Sequence, residues 1–502
     1  MISRIGAAVL AALVFLASSP SVALDAAPRT DVLVIGGTPA GVAAAVAAAR
    51  RGADVTLVTQ GPELGGVLTG ALMDQWDLNL APGGVPVEGG IFSEIYARLG
   101  DAFTPADAAR VLESLVDDEP RIHTLFDARP AAVRVTETRG GTQIDDVSFA
   151  RPDEADLTLS AGAVIDATDD ADVAALAGAR YDVGRQDTGL DERMQAVTLM
   201  FTVDGVDWDD VARSYDVALD GPGGVEGRRA WGYGKLMDGY RPESPDELVR
   251  DLNLGREDDG SVSVNAIDII GIDGRSAADL ARARDITESD APNLIDYLRR
   301  RLPGFAGAHV AGYAGAVYVR ETRHVLGLAW LTADDVWDGV QPADRIGLSS
   351  YPLDLHPVTA SDRLAYAPER HVYGVPFGAL VPRGFANLLL ASPSISASHE
   401  AAGSARVIPT TIEEGEADGA AAALAQTRRV SFIALDQTPA LIGALQRDLR
   451  RTGAILDYTP PALAVVDVER ARPRQDALVH VRRGALGAGL RRPALGVRGR
   501  AA

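Results

Sequence analysis

One stretch limits the fold more than any other: VLVIGGTPAGVAAAVAAARRGADVTLV, residues 32–58. An apolar run, a glycine turn, a run of alanine and valine, a stop at Gly52 and a second apolar run predict strand, helix and parallel strand over 31–35, 40–51 and 55–58. Gly36 and Gly41 take the first and last glycine places of G-x-G-x-x-G, with Gly37 beside the first. Gly36 permits the sharp turn, and Gly41 lets helix and strand approach. Thr38 stands in the middle place, where a side chain crowds a diphosphate. Pro39 presets the first helical turn, and the backbone N–H groups of that turn, Ala40 included, point with the helix dipole at an anion. An acid about 20 residues further on commonly grips a ribose hydroxyl. Here that place falls to Thr59, which bonds a hydroxyl without charge assistance. A strand–helix–strand unit that binds nothing is the competing reading.

At 502 residues the chain is too long for one small core, and two or three interleaved domains are expected. With 47% hydrophobic and 24% charged residues it reads as globular. A formal net charge of −22, with no basic stripe in the body, argues against a nucleic-acid partner. The absence of cysteine removes disulfides, thiolate nucleophiles, iron–sulfur clusters and thiolate zinc sites. No H-E-x-x-H, G-x-S-x-G or G-x-x-x-x-G-K-[ST] motif occurs, and no metal is expected.

Residues 1–23 read as a cleaved secretory signal: Arg4, an apolar run over 5–17, then Ser21-Val22-Ala23 matching the small-x-small rule. The run falls short of the ~20 residues that cross a bilayer, so export without a stable membrane span is expected. An uncleaved anchor or a plain N-terminal helix is the alternative.

The nucleotide-binding part covers 30–180, interrupted by an excursion over 74–118 and a β-meander over 122–160 that turns at RGGTQ. A buried strand over 163–167 follows. Residues 181–344 read as an inserted substrate domain, with a helix over 291–302. The chain returns to the first domain over 345–430, through a strand at 388–391 and the small-residue helix of IPTTIEEGEADGAAAALAQ. A C-terminal helix is expected in 431–460. Over 461–502 lies a basic tail, with eight arginines and one acid between 471 and 502.

A second glycine signal, Gly65-Gly66 in PELGGVLTG, lies in the loop after the second strand, where backbone can pass along an extended cofactor. With DVLVIGGTPAGVAAAVAAARRGA, LGGVLTG, VIDATDDADVAALAGA, YVRETRHVLG, DRIGLSSYPLD and HEAAGSARVIPTTIEEGEADGAAAALA in this order, the chain resembles the FAD-dependent oxidoreductases of the glutathione-reductase-type flavoprotein fold, over about 31–424. The resemblance implies an α/β protein: a discontinuous Rossmann-like FAD-binding domain with an inserted β-meander, and a second α+β substrate domain. It implies that Gly36 to Gly41 cradle the FAD diphosphate, that Gly65 and Gly66 line the ribityl region, and that Ala167 and Thr168 close the strand beside the dinucleotide. It also implies that the helix entered at Pro409-Thr410-Thr411 aims its N-terminus at the pyrimidine end of the flavin, where reduced flavin carries negative charge. In that family the GGTPAG sequence is common. Two places depart from it: Thr59 for an acid, and Ser392-Pro393 for a Gly-Arg pair.

Because a flavin carries the electron chemistry itself, the chain needs only to place a small organic substrate and manage a proton. His399 and Glu400, in the loop before that flavin-facing helix, are the candidate proton partners; the competing reading is a histidine that ties down backbone. Asp74 and Asp77 are weaker candidates, read first as a solvated loop. Arg320, Glu321, Arg323 and His324 lie on a strand end with Glu321 and Arg323 on one side. Arg320 could bind a substrate carboxylate there, against an interdomain ion-pair cluster. The aromatics over 230–240 read first as core. No second glycine fingerprint for a nicotinamide cofactor is visible, so electrons are expected to leave to oxygen or another external acceptor. An NAD-dependent dehydrogenase and a binding protein that kept the fold and lost catalysis are the alternatives.

Overall fold

A computed structural model describes residues 27–460, apart from 153, 363–364 and 367–370. The expected signal segment at 1–23 and the basic tail at 461–502 lie outside the described residues. The protein is mixed α/β. Strand Arg29–Ile35 lies between Val55–Val58 and Leu157–Asp166, parallel to both. Its last four residues are fully buried, as an interior parallel strand covered on both faces requires.

Two expected boundaries are corrected here. Ile122–Leu125 is not part of the meander, since it pairs in parallel with Val55–Val58 at the sheet edge. Leu157–Asp166 is one strand, running from the expected meander into the buried strand expected over 163–167. The division has a physical source. Residues 157–160 pair antiparallel with Gly141–Ala150, whereas 163–166 run between parallel neighbours, Arg29–Ile35 and Leu388–Leu390. One strand thus changes environment midway, and its burial pattern changes from alternating to continuous. Arg129–Thr138 completes the antiparallel side of this seven-stranded sheet.

Helix Pro39–Ala49 is buried along its whole length. It packs on helix Ile408–Arg428 with almost nothing between the backbones. A Cβ on Gly415 would lie 2.1 Å from the carbonyl oxygen of Ala40, and one on Gly419 would lie 2.2 Å from that of Ala44. The small-residue faces of both helices therefore serve this contact.

A second hydrophobic core is built on six antiparallel strands, in the order Gly224–Glu226, Arg229–Gly232, Glu247–Arg256, Val262–Ile269, Phe201–Asp204, His309–Tyr313. Tyr233 and Tyr240 are buried in it, in keeping with their reading as core. The helix expected over 291–302 is Ala277–Arg301. Pro292 sits inside the helix, whose start is set by Ser276 accepting from the N–H of Asp279. The C-terminal helix expected over 431–460 is two helices, Phe432–Asp436 and Pro439–Arg451, the first capped by Ser431.

Candidate functional site

Gly36 has φ +125°, and its N–H donates to the carbonyl of Val58 at 2.7 Å. A Cβ there would lie 2.1 Å from the carbonyl oxygen of Ala167, and one on Gly41 would lie 1.9 Å from that of Gly36. Both glycines are required by the close passage of backbone over backbone.

Thr38 takes a place between these elements. Its hydroxyl accepts from the N–H of Gly41 at 3.1 Å and donates to the carbonyl of Ala167 at 3.1 Å, so it caps the helix and ties it to the strand end. Its methyl faces Gly66, where a Cβ would lie 3.3 Å away. The N–H of Gly65 in turn donates to the carbonyl of Gly37 at 2.7 Å. The glycine missing at the middle of the fingerprint is thus compensated by one in the facing loop. Thr38→Val keeps the shape and removes both hydrogen bonds. It is expected to cost about 1–2 kcal/mol, read as a lower midpoint in chemical denaturation, with Thr38→Ser close to wild type.

Thr59 is buried, its hydroxyl 3.3 Å from the carbonyl oxygen of Glu63 and against Gly37, committed to its own turn. Thr168 donates to Asp166 at 2.6 Å and caps Asp172 at 2.8 Å. Thr410 accepts from Asn79 at 3.0 Å, and the side-chain oxygen of Asn79 accepts from Ser349 and from the N–H groups of Ser350 and Tyr351. Asn79 was not singled out from sequence; its partners are some 270 to 330 residues away.

A narrow cleft runs between these parts. On one wall lie Thr38, Pro39 and Ala40, with Ile408 and Thr411 at the start of the long helix; on the other lie Tyr318 and Arg320, with Ser392, Pro393 and Arg406 nearby. Two helix N-termini meet there. In the first, Thr38 caps Gly41 and Pro39 has no N–H, which leaves Ala40; in the second, no side chain caps the first turn and Pro409 again lacks an N–H. In addition, the Nε atoms of Arg320 and Arg406 are buried without a partner. The N–H of Ala40, the uncapped start of the long helix and the unpaired guanidinium N–H groups form a donor set for a phosphate- and carbonyl-rich ligand. The residues fit FAD.

Of the three expected catalytic residues, Arg320 borders the cleft. His399 is not in a loop but is the first residue of helix His399–Ala405, capped by Ser398. It is buried, and its Nδ1 lies 2.7 Å from Glu321 Oε1, which also lies 2.7 Å from His324 Nε2. Burial opposes ionisation of Glu321, but the two imidazoles hold its carboxyl well below the usual range. Burial likewise opposes charge on His399, which Glu321 nevertheless raises. Glu400 is next to this cluster, and burial raises its carboxyl. Neither His399 nor Glu400 borders the cleft. Glu321 and Arg323 do not share partners: Arg323 bonds Asp172 at 3.0 Å, and both Arg320 and Glu321 precede the strand Arg323–Val325. Asp74 is buried, accepts from Ser263, and is pushed up to about 6 by burial.

A chain of alternating charges that the sequence did not reveal stands behind the cleft. Arg406 meets Asp354 at 3.2 Å, His356 stands 3.5 Å from Asp354 and 2.9 Å from Asp268, and Asp268 is 3.4 Å from Arg320. Burial opposes the charge of Asp268, yet His356 and Arg320 hold it down at about 2. Burial and Arg320 oppose the charge of His356, yet Asp268 and Asp354 raise it. Asp77, 2.9 Å from the Tyr351 hydroxyl, and Asp251 have exposed side chains, but burial among protein atoms pushes both carboxyls up, Asp251 to about 6.

A family model described as FAD dependent oxidoreductase matches residues 31–449. Among solved structures, the chain is similar to p-nitrophenol 4-monooxygenase PnpA from Pseudomonas putida, at 12% identity over 85% of this chain and 88% of that one, TM-score 0.41. It is also similar to a geranylgeranyl bacteriochlorophyll reductase-like protein from Thermoplasma acidophilum, at 13% identity over 84% of each chain, TM-score 0.40. A third is the flavin-dependent brominase Bmp2, at 9% identity over 84% of each, TM-score 0.42. No curated protein matches the chain. No helix among the described residues is long and apolar enough to cross a membrane.

Proposed function

The chain belongs to the FAD-dependent oxidoreductase family, and from that premise we propose that it is exported, oxidises a small organic substrate, and passes the electrons to oxygen or another external acceptor. The observation that carries this reading is the meeting of two helix N-termini, one capped by Thr38 and one without a side-chain cap, on one cleft that Arg320 also lines. Residues Gly36 to Gly41 would hold the FAD diphosphate, Gly65 and Gly66 the ribityl chain, and the first turn of Ile408–Arg428 the pyrimidine end. FAD supplies the electron-accepting chemistry when bound.

The chain's own residues position and exclude. Arg320 presents a donor to whatever lies in the cleft. His399 has Nδ1 committed to Glu321, so its part is to anchor the start of helix His399–Ala405 beneath the site. Thr38, through its cap, sets the angle at which the first helix meets the cleft. Export rests on residues 1–23 alone, and an external acceptor rests on the lack of a second glycine fingerprint.

The test is purification of the chain without residues 1–23, an absorbance spectrum, and a panel of small organic compounds scored by loss of flavin absorbance. A yellow protein bleached by at least one compound and recoloured by air is the expected result. A protein that takes up no FAD on reconstitution would refute the reading. Fractionation of cells making the full chain checks export separately.

A further inference from the structure

Two arginines line the cleft of a strongly acidic chain. The formal net charge of the chain is −22, yet the charged side chains on the cleft wall are Arg320, Arg406 and Asp169. Burial, with Asp170 and Asp172 beside it, pushes the Asp169 carboxyl up to about 7. The two arginines are therefore the strong charges there.

Both are deeply set, with side chains 2% and 3% exposed. Each is anchored by its terminal nitrogens. Arg320 donates from Nη1 to the Ala196 carbonyl at 2.8 Å and the Thr198 hydroxyl at 3.0 Å. Arg406 donates from Nη1 to the Tyr318 hydroxyl at 2.9 Å and from Nη2 to Asp354 at 3.2 Å. Each leaves its Nε–H unpaired. The Arg320 guanidinium also lies over the Tyr318 ring, 4.7 Å from its centroid, so one phenol has a cation over its face and another at its hydroxyl. Arg320 also meets Asp268 at 3.4 Å and Arg406 meets Asp354 at 3.2 Å, but neither carboxylate belongs to its arginine alone. Asp268 and Asp354 are shared with His356, which stands between them. A buried, unpaired donor on a charged group is costly, and a planar guanidinium is matched best by a carboxylate.

Building on the oxidoreductase reading, we propose that the substrates are small carboxylic acids, with the carboxylate held between Arg320 and Arg406 beside Tyr318. Neutral alcohols, amides and amines lack the charge that this pair requires. The same donors could instead face carbonyl oxygens of the cofactor, and the experiment separates the two.

The holoprotein is titrated with acetate, lactate and benzoate and, in parallel, with the matching amides, while the absorbance of bound flavin is followed. Expected is a saturable change with at least one acid and none with its amide. Arg406→Gln should weaken the acid about tenfold or more, as loss of one charge-assisted hydrogen bond implies, and Arg406→Lys should weaken it less. Equal responses to acid and amide, or no response to any acid, overturn the proposal; loss of flavin from Arg406→Gln alongside such indifference assigns the arginines to the cofactor. If the protein binds no FAD, the oxidoreductase reading fails by itself. The melting temperature of the apoprotein with acid against amide then decides the present inference without any colour.

Discussion

Gly36→Ala is expected to yield a protein without retained flavin. Two separate effects act at this position. The residue holds φ +125°, where a side chain costs about 1–3 kcal/mol. Its added carbon would also lie 2.1 Å from the carbonyl oxygen of Ala167, on a strand that cannot yield without moving the sheet; overpacking of this kind costs about 1–3 kcal/mol more. Relief by displacement moves the turn that leads into helix Pro39–Ala49, the part that faces the cleft. Gly52→Ala separates these effects. Gly52 has φ +89° in the same unit, but an added Cβ there meets nothing within 4 Å. That variant is expected to lose stability through backbone strain alone and to remain yellow. The measurement is the ratio of flavin to protein absorbance after gel filtration. Full flavin content in Gly36→Ala would remove the argument that this turn seats the cofactor.

The second large effect concerns pH. Glu414 and Asp418, one turn apart on helix Ile408–Arg428, are fully buried, and neither oxygen of either carboxyl has a partner. Burial raises both well above the ordinary carboxylate range. In the unfolded chain both titrate near pH 4, roughly. Between that value and their folded values the native protein holds protons that the unfolded chain has released, so stability falls as pH rises, by about 1.4 kcal/mol per pH unit for each such group. His399 and His356, raised by their carboxylate partners, act in the same direction through neutral pH. The melting temperature is therefore expected to be higher at about pH 5.5 than at about pH 8.5. The double variant Glu414→Gln with Asp418→Asn should flatten this dependence and be the more stable protein at the alkaline end. Thermal scans of both proteins across that range provide the check. A wild type indifferent to pH, or a double variant less stable throughout, would show that these carboxyls are ionised and paired in the folded state.

The readable and unreadable parts of this chain differ in range. The turn at Gly36 to Gly41, the strands beside it and the return strand near Leu388 are written in short windows of glycine and apolar residues, and the sheet uses them as expected. Thr38 could be recognised as unusual but not explained, because its compensation is Gly66 in another loop. Leu157–Asp166 was divided because its two halves have different neighbours. The chain from Arg406 through Asp354, His356 and Asp268 to Arg320 joins residues up to 138 positions apart, 406 minus 268; Arg320 stood out by itself, but no local pattern shows that these residues meet.

The contact of Gly415 with Ala40 and of Gly419 with Ala44 has a mechanical consequence. Helices that touch through bare main chain have no side-chain layer to absorb sliding or rolling, so the pair behaves as a single beam and the two ends that border the cleft keep a constant separation. Widening that admits or releases a ligand is then left to the rest of the lining, where Tyr318 and Arg320 sit on a short stretch between the second sheet and strand Arg323–Val325.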